Sequence, residues 1–196
     1  LMQALHKDAE VYIADFKGGV DYPKVWHEKC RMCFTEEDLL YTLNQLVAVL
    51  EYRKKALKEL GSPNIDAYNE TTENKLPRLI FACDEVAELL DRTGRGKEDK
   101  ERLAQIENKL ATLARLGRAF GIHLILATQR PDATIIPGQI RNNMDFRVCG
   151  RADNVLSQII LDNTSAAEQI PKDARGRFIT GDGTVFQGYL FDEGQL

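Results

Sequence analysis

The sequence predicts an α/β protein with a mostly parallel sheet, helices on both faces and a closing β-hairpin. Three observations support this fold class. Short continuous apolar runs, which are typical of buried parallel strands, alternate with longer amphipathic segments, which are typical of helices. Polar or charged residues end each apolar run, as expected where a strand meets a loop. Near the C-terminus the pair Asp182-Gly183 favours a tight hairpin turn.

Length and composition favour one globular domain over residues 1–196. Apolar residues make up 43% of the chain and charged residues 29%, which is ordinary for a soluble protein. The longest uncharged stretch, residues 39–50, is too short to span a bilayer, and charged residues interrupt the N-terminal ten. We therefore expect a soluble cytoplasmic domain, with any membrane attachment lying outside this chain.

The elements follow from the apolar spacing and the Gly and Pro positions. Strands are predicted over residues 10–14, 31–34, 79–83, 122–127 and 146–150, and the hairpin pairs residues 177–180 with 184–190. Helices are predicted over residues 35–60, 86–91, 101–120, 139–143 and 154–161. Residues 62–75 are expected to be loop with a turn of helix. The charged, Gly-containing segment 92–100 is expected to be the disordered part of the chain.

The first long helix carries the clearest local signals. Thr35 and Asp38 have the spacing of a capping box. Leucines then recur every three, four or seven residues and form one apolar stripe. Gly61 and Pro63 end the helix.

Two adjacent acids, Asp84 and Glu85, follow the apolar strand 79–83. Ligands of open parallel sheets bind beyond the carboxyl ends of the strands, so both acids lie where a substrate would bind. One acid can hold a hydrated magnesium ion while the other polarises an attacking water. The structural alternative is that both acids cap the following helix.

Polar residues also follow two other predicted strands. Thr128 and Gln129 end the strand 122–127, and a neutral amide there can contact a terminal phosphate or orient water. Asp15 and Lys17 follow the strand 10–14 and can form an ion pair or a switch element near the same crevice. Three such strand ends predict a nucleotide pocket, yet the phosphate-binding pattern G-x-x-x-x-G-K-[ST] is absent from the sequence.

Arginines and cysteines suggest two further features. Six arginines and no lysine lie between residues 115 and 151, and arginine favours forked contacts to phosphate or carboxylate. Scattered surface ion pairs are the alternative. His27, Cys30 and Cys33 resemble half of a zinc site, but no second Cys/His pair has matching spacing, so buried reduced thiols are favoured.

The order of these motifs resembles the motor domain of the FtsK/SpoIIIE family of DNA translocases, which has a RecA-like P-loop NTPase fold. The resemblance covers essentially the whole chain from just after the P-loop helix. The stretches that carry it are VYIADFKGG, LEYRKKALKELG, NIDAYNE, LPRLIFACDEVAELL, LARLGRAFGIHLILATQRP, IRNNMDFRVCGR and GRFITGDGTVFQGYLFDE.

The resemblance implies a role for each matching residue. Asp84 matches the magnesium ligand, through water, of the Walker B pair, and Glu85 matches the general base. Gln129 matches the polar sensor. Arg147 and Arg151 match a basic strand at the subunit boundary, where one of them would act on a neighbouring subunit's nucleotide. Gln158 departs from the family, because many relatives carry an arginine there.

The resemblance also implies an activity. Family members use ATP and Mg²⁺ and pump double-stranded DNA through hexameric homo-oligomeric rings, in chromosome segregation or in transfer of plasmids and conjugative elements. The alternatives are the FtsK-like ATPase of a type VII secretion system, whose substrate is a secreted protein, and a catalytically silent ring module. The Walker A segment is expected upstream of Leu1, so the fragment alone should be inactive. Its strand is expected between strands 79–83 and 122–127, leaving unpaired backbone groups there.

Overall fold

The computed structural model describes residues 1–17, 19, 22–129, 136–190, 192 and 194. Gly18 of the Lys-Gly-Gly run and Arg130-Pro131, which end one matching stretch, lie outside the described residues, as do Phe191 and Glu193 of the last stretch. The chain divides into two compact units, residues 1–127 and 128–196. Each unit is described by itself, and the assignment of a single domain stays a prediction.

The first unit contains a four-stranded sheet and most of the helices. Its elements in chain order are α1 (Met2–Leu5), β1 (Glu10–Ala14), α2 (Lys24–Lys29), β2 (Arg31–Cys33), α3 (Glu36–Glu59), α4 (Ile65–Thr71), β3 (Leu79–Cys83), α5 (Val86–Leu90), α6 (Lys97–Leu116), a 3₁₀ turn (Gly117–Phe120) and β4 (Ile122–Leu126). The predicted strands 10–14 and 79–83 and the long helix after Thr35 are therefore present.

All strands of this sheet run parallel, in the order β2-β1-β3-β4. The predicted parallel sheet is confirmed, but the expected place of a P-loop strand between β3 and β4 is wrong. Five residues of β3, Leu79 to Cys83, pair directly with Ile122 to Leu126 of β4, while β1 pairs with the other side of β3. Both backbone edges of β3 are therefore satisfied, and no space remains for an intervening strand.

The leucine stripe of α3 forms the main core of the first unit. Thr35 Oγ1 accepts a hydrogen bond from the Asp38 amide at 3.1 Å, which is the predicted N-cap. Helix α3 packs on α6 and on β2, and α6 packs on β4. The side chains that these helices bury completely or almost completely are Leu39, Leu43, Leu46, Leu50, Leu57, Leu103, Ile106, Leu110 and Leu113.

One buried arginine fastens α3 to the starts of two strands. Arg53 is 2% exposed, and its Nη atoms donate to the carbonyl oxygens of Pro77 at 2.6 Å and Phe120 at 2.7 Å. Pro77 precedes β3 and Phe120 precedes β4. Burial lowers the pKa of the guanidinium, which nevertheless remains charged because arginine is an extremely weak acid.

The prediction of disorder over residues 92–100 is wrong. Helix α6 begins at Lys97, and ion pairs hold the loop before it. Arg95 Nη1 lies 2.5 Å from Glu36 Oε1, and Arg92 Nη2 lies 2.5 Å from Glu107 Oε2. The charges that suggested a solvated loop are used instead to dock it on the neighbouring helices.

A second difference concerns residues 62–75, where α4 takes up seven residues instead of the single expected turn of helix. Asn64 caps the helix by accepting from the Ala67 amide at 3.0 Å. The side chain of Asn69 exchanges two hydrogen bonds with the backbone of Leu76, in the manner of a neighbouring strand. Through these contacts the stretch NIDAYNE supports the segment that leads into β3.

The described residues of the second unit form three short helices and a three-stranded antiparallel sheet of order β5-β6-β7. Its elements are α7 (Gly138–Arg141), β5 (Val148–Cys149), α8 (Asn154–Leu161), α9 (Ser165–Gln169), β6 (Arg177–Thr180) and β7 (Val185–Gln187). The predicted closing hairpin is confirmed. Its core is small and contains Cys149, Leu161, Ala166, Ile170 and Ile179. No helix among the described residues has the length and apolarity needed to cross a membrane.

Candidate functional site

The carboxyl ends of β1, β3 and β4 lie side by side at one edge of the first unit's sheet. Ala14 is in register with Cys83, and Cys83 is in register with Leu126. Beyond β4, the Ala127 amide donates to the Cys83 carbonyl at 2.9 Å, and the Ala127 carbonyl accepts from the Val86 amide at 2.8 Å. The polar residues that follow β1 and β3 are thereby brought to the same edge.

Lys17 and Asp84 form an ion pair across this edge. Lys17 Nζ lies 3.1 Å from Asp84 Oδ2, although the two residues are 67 positions apart in the chain. The side chains are 41% and 30% exposed, so water still reaches both groups. Lys17 therefore pairs with the first acid after β3, whereas the sequence suggested a pair with Asp15.

Asp15 is the buried anchor of the loop that carries Lys17. It is 1% exposed, and its Oδ1 accepts from the Lys17 amide at 2.9 Å. Its amide donates to the Cys33 carbonyl at 3.0 Å, which joins β1 to the end of β2. Asp15 Oδ2 is buried without a hydrogen-bond partner in the described structure. A buried, half-satisfied carboxylate is costly and is expected only where something compensates for it.

Glu85 has an unusual backbone conformation. Its φ and ψ are 56° and 55°, in the left-handed region, and it immediately precedes α5. The residue is 8% exposed, so the turn buries its carboxylate. A non-glycine residue held in this region costs about 1–2 kcal/mol, and such strain is concentrated at functional sites. The simpler reading as a helix cap receives no support, because the Glu85 side chain makes no capping hydrogen bond.

The thiol next to the two acids is not a nucleophile. Burial raises the pKa of Cys83 to about 12, and the nearby charges of Asp84 and Glu85 act in the same direction. Cys83 is 1% exposed and therefore acts as a small apolar residue under the site.

The residues at this edge fit a mostly hydrated magnesium ion. The described residues contain no group of three or more His, Cys, Asp or Glu that could enclose a metal. Mg²⁺ keeps several waters and commonly takes only one or two carboxylates from a protein. Asp84 provides one partly exposed carboxylate, and its Oδ2 already holds a cation, the Lys17 ammonium.

Gln129 and Arg151 line a cavity within the second unit. Its volume is 320 Å³, and Ala152, Asp153 and Leu156 at the start of α8 complete its lining. Two of the site residues expected from the sequence are therefore neighbours. Thr128 and Gln129 open the second unit, so their convergence with Asp84 and Glu85 stays a prediction.

The two arginines expected at a subunit boundary have different environments. Arg147 Nη1 lies 2.7 Å from Asp162 Oδ2, and its other nitrogens donate to the carbonyls of Met144 and Arg141 at 3.1 and 3.2 Å. Arg151 is exposed, and it makes no hydrogen bond or ion pair with the part of the chain that the structure describes. Sequence reasoning treated the two alike, because the partners of Arg147 come from separate segments.

The residues of the suggested half zinc site have other contacts. His27 Nε2 lies 3.0 Å from the Tyr22 carbonyl oxygen, and the His27 ring packs on Phe34. Cys33 Sγ lies 3.2 Å from Thr42 Oγ1. Burial raises the pKa of both Cys30 and Cys33, which favours neutral thiols over metal-binding thiolates.

Comparisons with known proteins agree with this arrangement. The chain is 31% identical over 182 residues to the DNA translocase FtsK of Chlamydia pneumoniae, an alignment of 85% of this chain and 22% of that protein. It is 39% identical to the pCW3 conjugation coupling protein TcpA, solved as a monomer form with ATPγS, over 97% of this chain and 55% of that one, with a TM-score of 0.91. The chain thus spans about a fifth of its curated relative and about half of the solved one.

A more distant likeness extends to secretion ATPases. ATPases 2 and 3 of EccC from Thermomonospora curvata match 93% of this chain and 32% of that one, at 23% identity and a TM-score of 0.68, which shows a shared fold. The model of the FtsK/SpoIIIE family, whose members are P-loop ATPases, matches residues 11–133. That span covers β1 to β4 and the acids at their ends, and the chain therefore belongs to the FtsK/SpoIIIE family.

Proposed function

We propose that this chain is part of a ring-shaped motor that hydrolyses ATP to move double-stranded DNA, in chromosome segregation or in transfer of a plasmid or conjugative element. The observation that carries the proposal is the 39% identity over 97% of the chain to a conjugation coupling protein, together with the acids Asp84 and Glu85 at the end of a central strand. Relatives named DNA translocases point to the same substrate.

Each site residue has a proposed role at the nucleotide. Asp84 would hold Mg²⁺ through water, and the ion would supply charge neutralisation at the phosphates. Glu85 accepts a proton from the attacking water, and its left-handed turn fixes the carboxylate at the end of β3. Gln129, with Thr128 beside it, senses the terminal phosphate. Asp15 and Lys17 shape the loop that faces Asp84.

Arg151 is the better candidate for an arginine that acts on a neighbouring subunit's nucleotide. The guanidinium of Arg147 is occupied by an aspartate and by backbone carbonyls of its own unit. Arg151 is exposed at the rim of a cavity that Gln129 also lines, so its side chain can reach outward. A homo-oligomeric ring, hexameric as in the family pattern, is the assembly that requires such a residue.

The family resemblance leaves a protein substrate as the second candidate, as in type VII secretion. The chain is 23% identical to the secretion ATPase EccC and 39% identical to the conjugation coupling protein. The higher identity favours DNA. A catalytically silent ring module is disfavoured because Asp84, Glu85 and Gln129 are all present.

The test uses the full-length protein that contains this chain. ATP hydrolysis is measured with and without linear double-stranded DNA, in the wild type and in Glu85→Gln. We expect DNA to stimulate hydrolysis and Glu85→Gln to lower the rate by roughly 10²-fold or more while nucleotide still binds. Glu88→Gln on α5 is the matched control. An ATP hydrolysis rate that DNA does not change would contradict the proposed substrate. Full activity of Glu85→Gln would contradict the proposed base.

A further inference from the structure

The ion pair between Lys17 and Asp84 uses one of the two carboxylate oxygens that the proposed metal site offers. Asp84 Oδ2 accepts the Lys17 ammonium at 3.1 Å. A carboxylate oxygen that holds an ammonium at this distance cannot also take a water from the first shell of a magnesium ion in the same direction. The two cations are therefore expected to compete.

The position of Lys17 is built into the fold. Asp15 fixes the turn after β1 by accepting from the Lys17 amide at 2.9 Å, and the amide of Asp15 is itself tied to Cys33. On the other side, the Asp84 amide donates to the Ala14 carbonyl at 3.4 Å, so the two strand ends are joined directly. Lysine is a flexible point charge, which suits a contact that must be made and released.

Stability alone is a weak reason for this pair. The side chains are 41% and 30% exposed, and a solvent-exposed pair of this kind contributes little to stability. The buried Asp15, whose Oδ2 has no partner in the described structure, adds cost to the same loop.

We propose that Lys17 is a positioning residue that occupies Asp84 in place of magnesium and leaves it when the metal-nucleotide complex binds. The proposal rests on the proposed function, since it assigns Asp84 to the metal. Lys17 keeps the carboxylate oriented and neutralised between turnovers, and it raises the metal concentration needed to load the site. Because the loop that carries Lys17 follows β1, the loss of this contact couples β1 to the occupancy of the metal site.

The test measures metal binding by the full-length protein, without relying on its activity. Mn²⁺ is titrated in the presence of saturating ATPγS, and the bound ion is counted by electron paramagnetic resonance. Lys17→Met is expected to lower the Mn²⁺ dissociation constant by about tenfold, because a competing positive charge is removed. Lys17→Arg keeps the charge and should remain within about twofold of wild type.

Two controls separate the possible failures. Lys24→Met removes the same charge from an exposed position on α2, where the side chain is 90% exposed, and should leave Mn²⁺ binding unchanged. Asp84→Asn should weaken binding. If Asp84→Asn weakens Mn²⁺ binding but Lys17→Met leaves it unchanged or weakens it, the proposed competition between Lys17 and the metal is overturned. The metal role of Asp84 then remains. If Asp84→Asn has no effect, the proposed metal site itself is overturned.

Discussion

The guanidinium of Arg147 is joined to the carboxylate of Asp162 at 2.7 Å, across the second unit. The aspartate is 74% exposed, so the ion pair itself contributes little. The Met144 carbonyl loses its Arg147 donor when the arginine is removed, whereas the Arg141 carbonyl keeps a bond from the Met144 amide at 3.2 Å. Arg147→Met is therefore expected to destabilise this unit by about 2 kcal/mol. Faster amide hydrogen exchange in α8 would reveal the loss, whereas Asp162→Asn should change exchange only slightly.

Arg151→Ala, unlike Arg147→Met, should lower activity without lowering stability. Because Arg151 is exposed and makes no hydrogen bond or ion pair with the described residues, its removal should change the free energy of unfolding by less than about 0.5 kcal/mol. If it acts on a neighbouring subunit, ATP hydrolysis by the full-length protein should fall by roughly 10²–10³-fold. Mixing Arg151→Ala with Glu85→Gln subunits should then restore activity at mixed interfaces. A rate equal to wild type in Arg151→Ala would remove this assignment.

Glu85 permits a test of stored backbone strain. Both Glu85→Gly and Glu85→Ala remove the carboxylate, but only glycine adopts the left-handed conformation without penalty. We expect Glu85→Gly to be more stable than Glu85→Ala by about 1 kcal/mol, measured as the difference in urea midpoints at equal slope. Both variants should be inactive. Equal stabilities would show that the turn relaxes and stores no strain.

Arg53 is expected to be the costliest single residue of α3 to replace with an apolar one. Arg53→Met leaves the carbonyls of Pro77 and Phe120 without their buried donor, and we expect a loss of about 3 kcal/mol in the free energy of unfolding. Arg53→Lys keeps the charge but reaches fewer acceptors, so its loss should be intermediate. Chemical denaturation followed by circular dichroism measures both. A loss below about 1 kcal/mol in Arg53→Met would contradict the fastening role.

His123 on β4 should make stability depend on pH. Burial lowers the pKa of His123 below its ordinary value of 6.5, and the charges of Arg78 and Arg118 lower it further. The unfolded chain therefore takes up this proton at a higher pH than the folded protein does. Stability contributed by the neutral ring is complete above pH 6.5 and falls as the pH drops below that value. His123→Gln should flatten the pH dependence of the unfolding midpoint between pH 7 and 5, and an unchanged slope would exclude this residue as its source.

Local signals were sufficient for much of the fold. The leucine spacing and the Thr35 cap determine α3, and continuous apolar runs identify β1 and β3 because a strand buried in a parallel sheet needs apolar residues on both faces. The Asp-Gly pair placed the hairpin turn correctly. The same runs placed Asp15, Asp84 and Glu85 at strand ends, because each apolar run ends where its strand ends.

The sequence alone determined the family, the parallel sheet and the kind of residue at each strand end. Only the tertiary structure decided that β4 lies directly against β3, that residues 92–96 are docked by Glu36 and Glu107, and that Arg147 is occupied while Arg151 is exposed. The physical reason is the range of the interactions. Helix caps and apolar periodicity act within a few residues, whereas strand order and ion pairs join segments that the chain separates by tens of residues, and no local pattern records which partner is chosen.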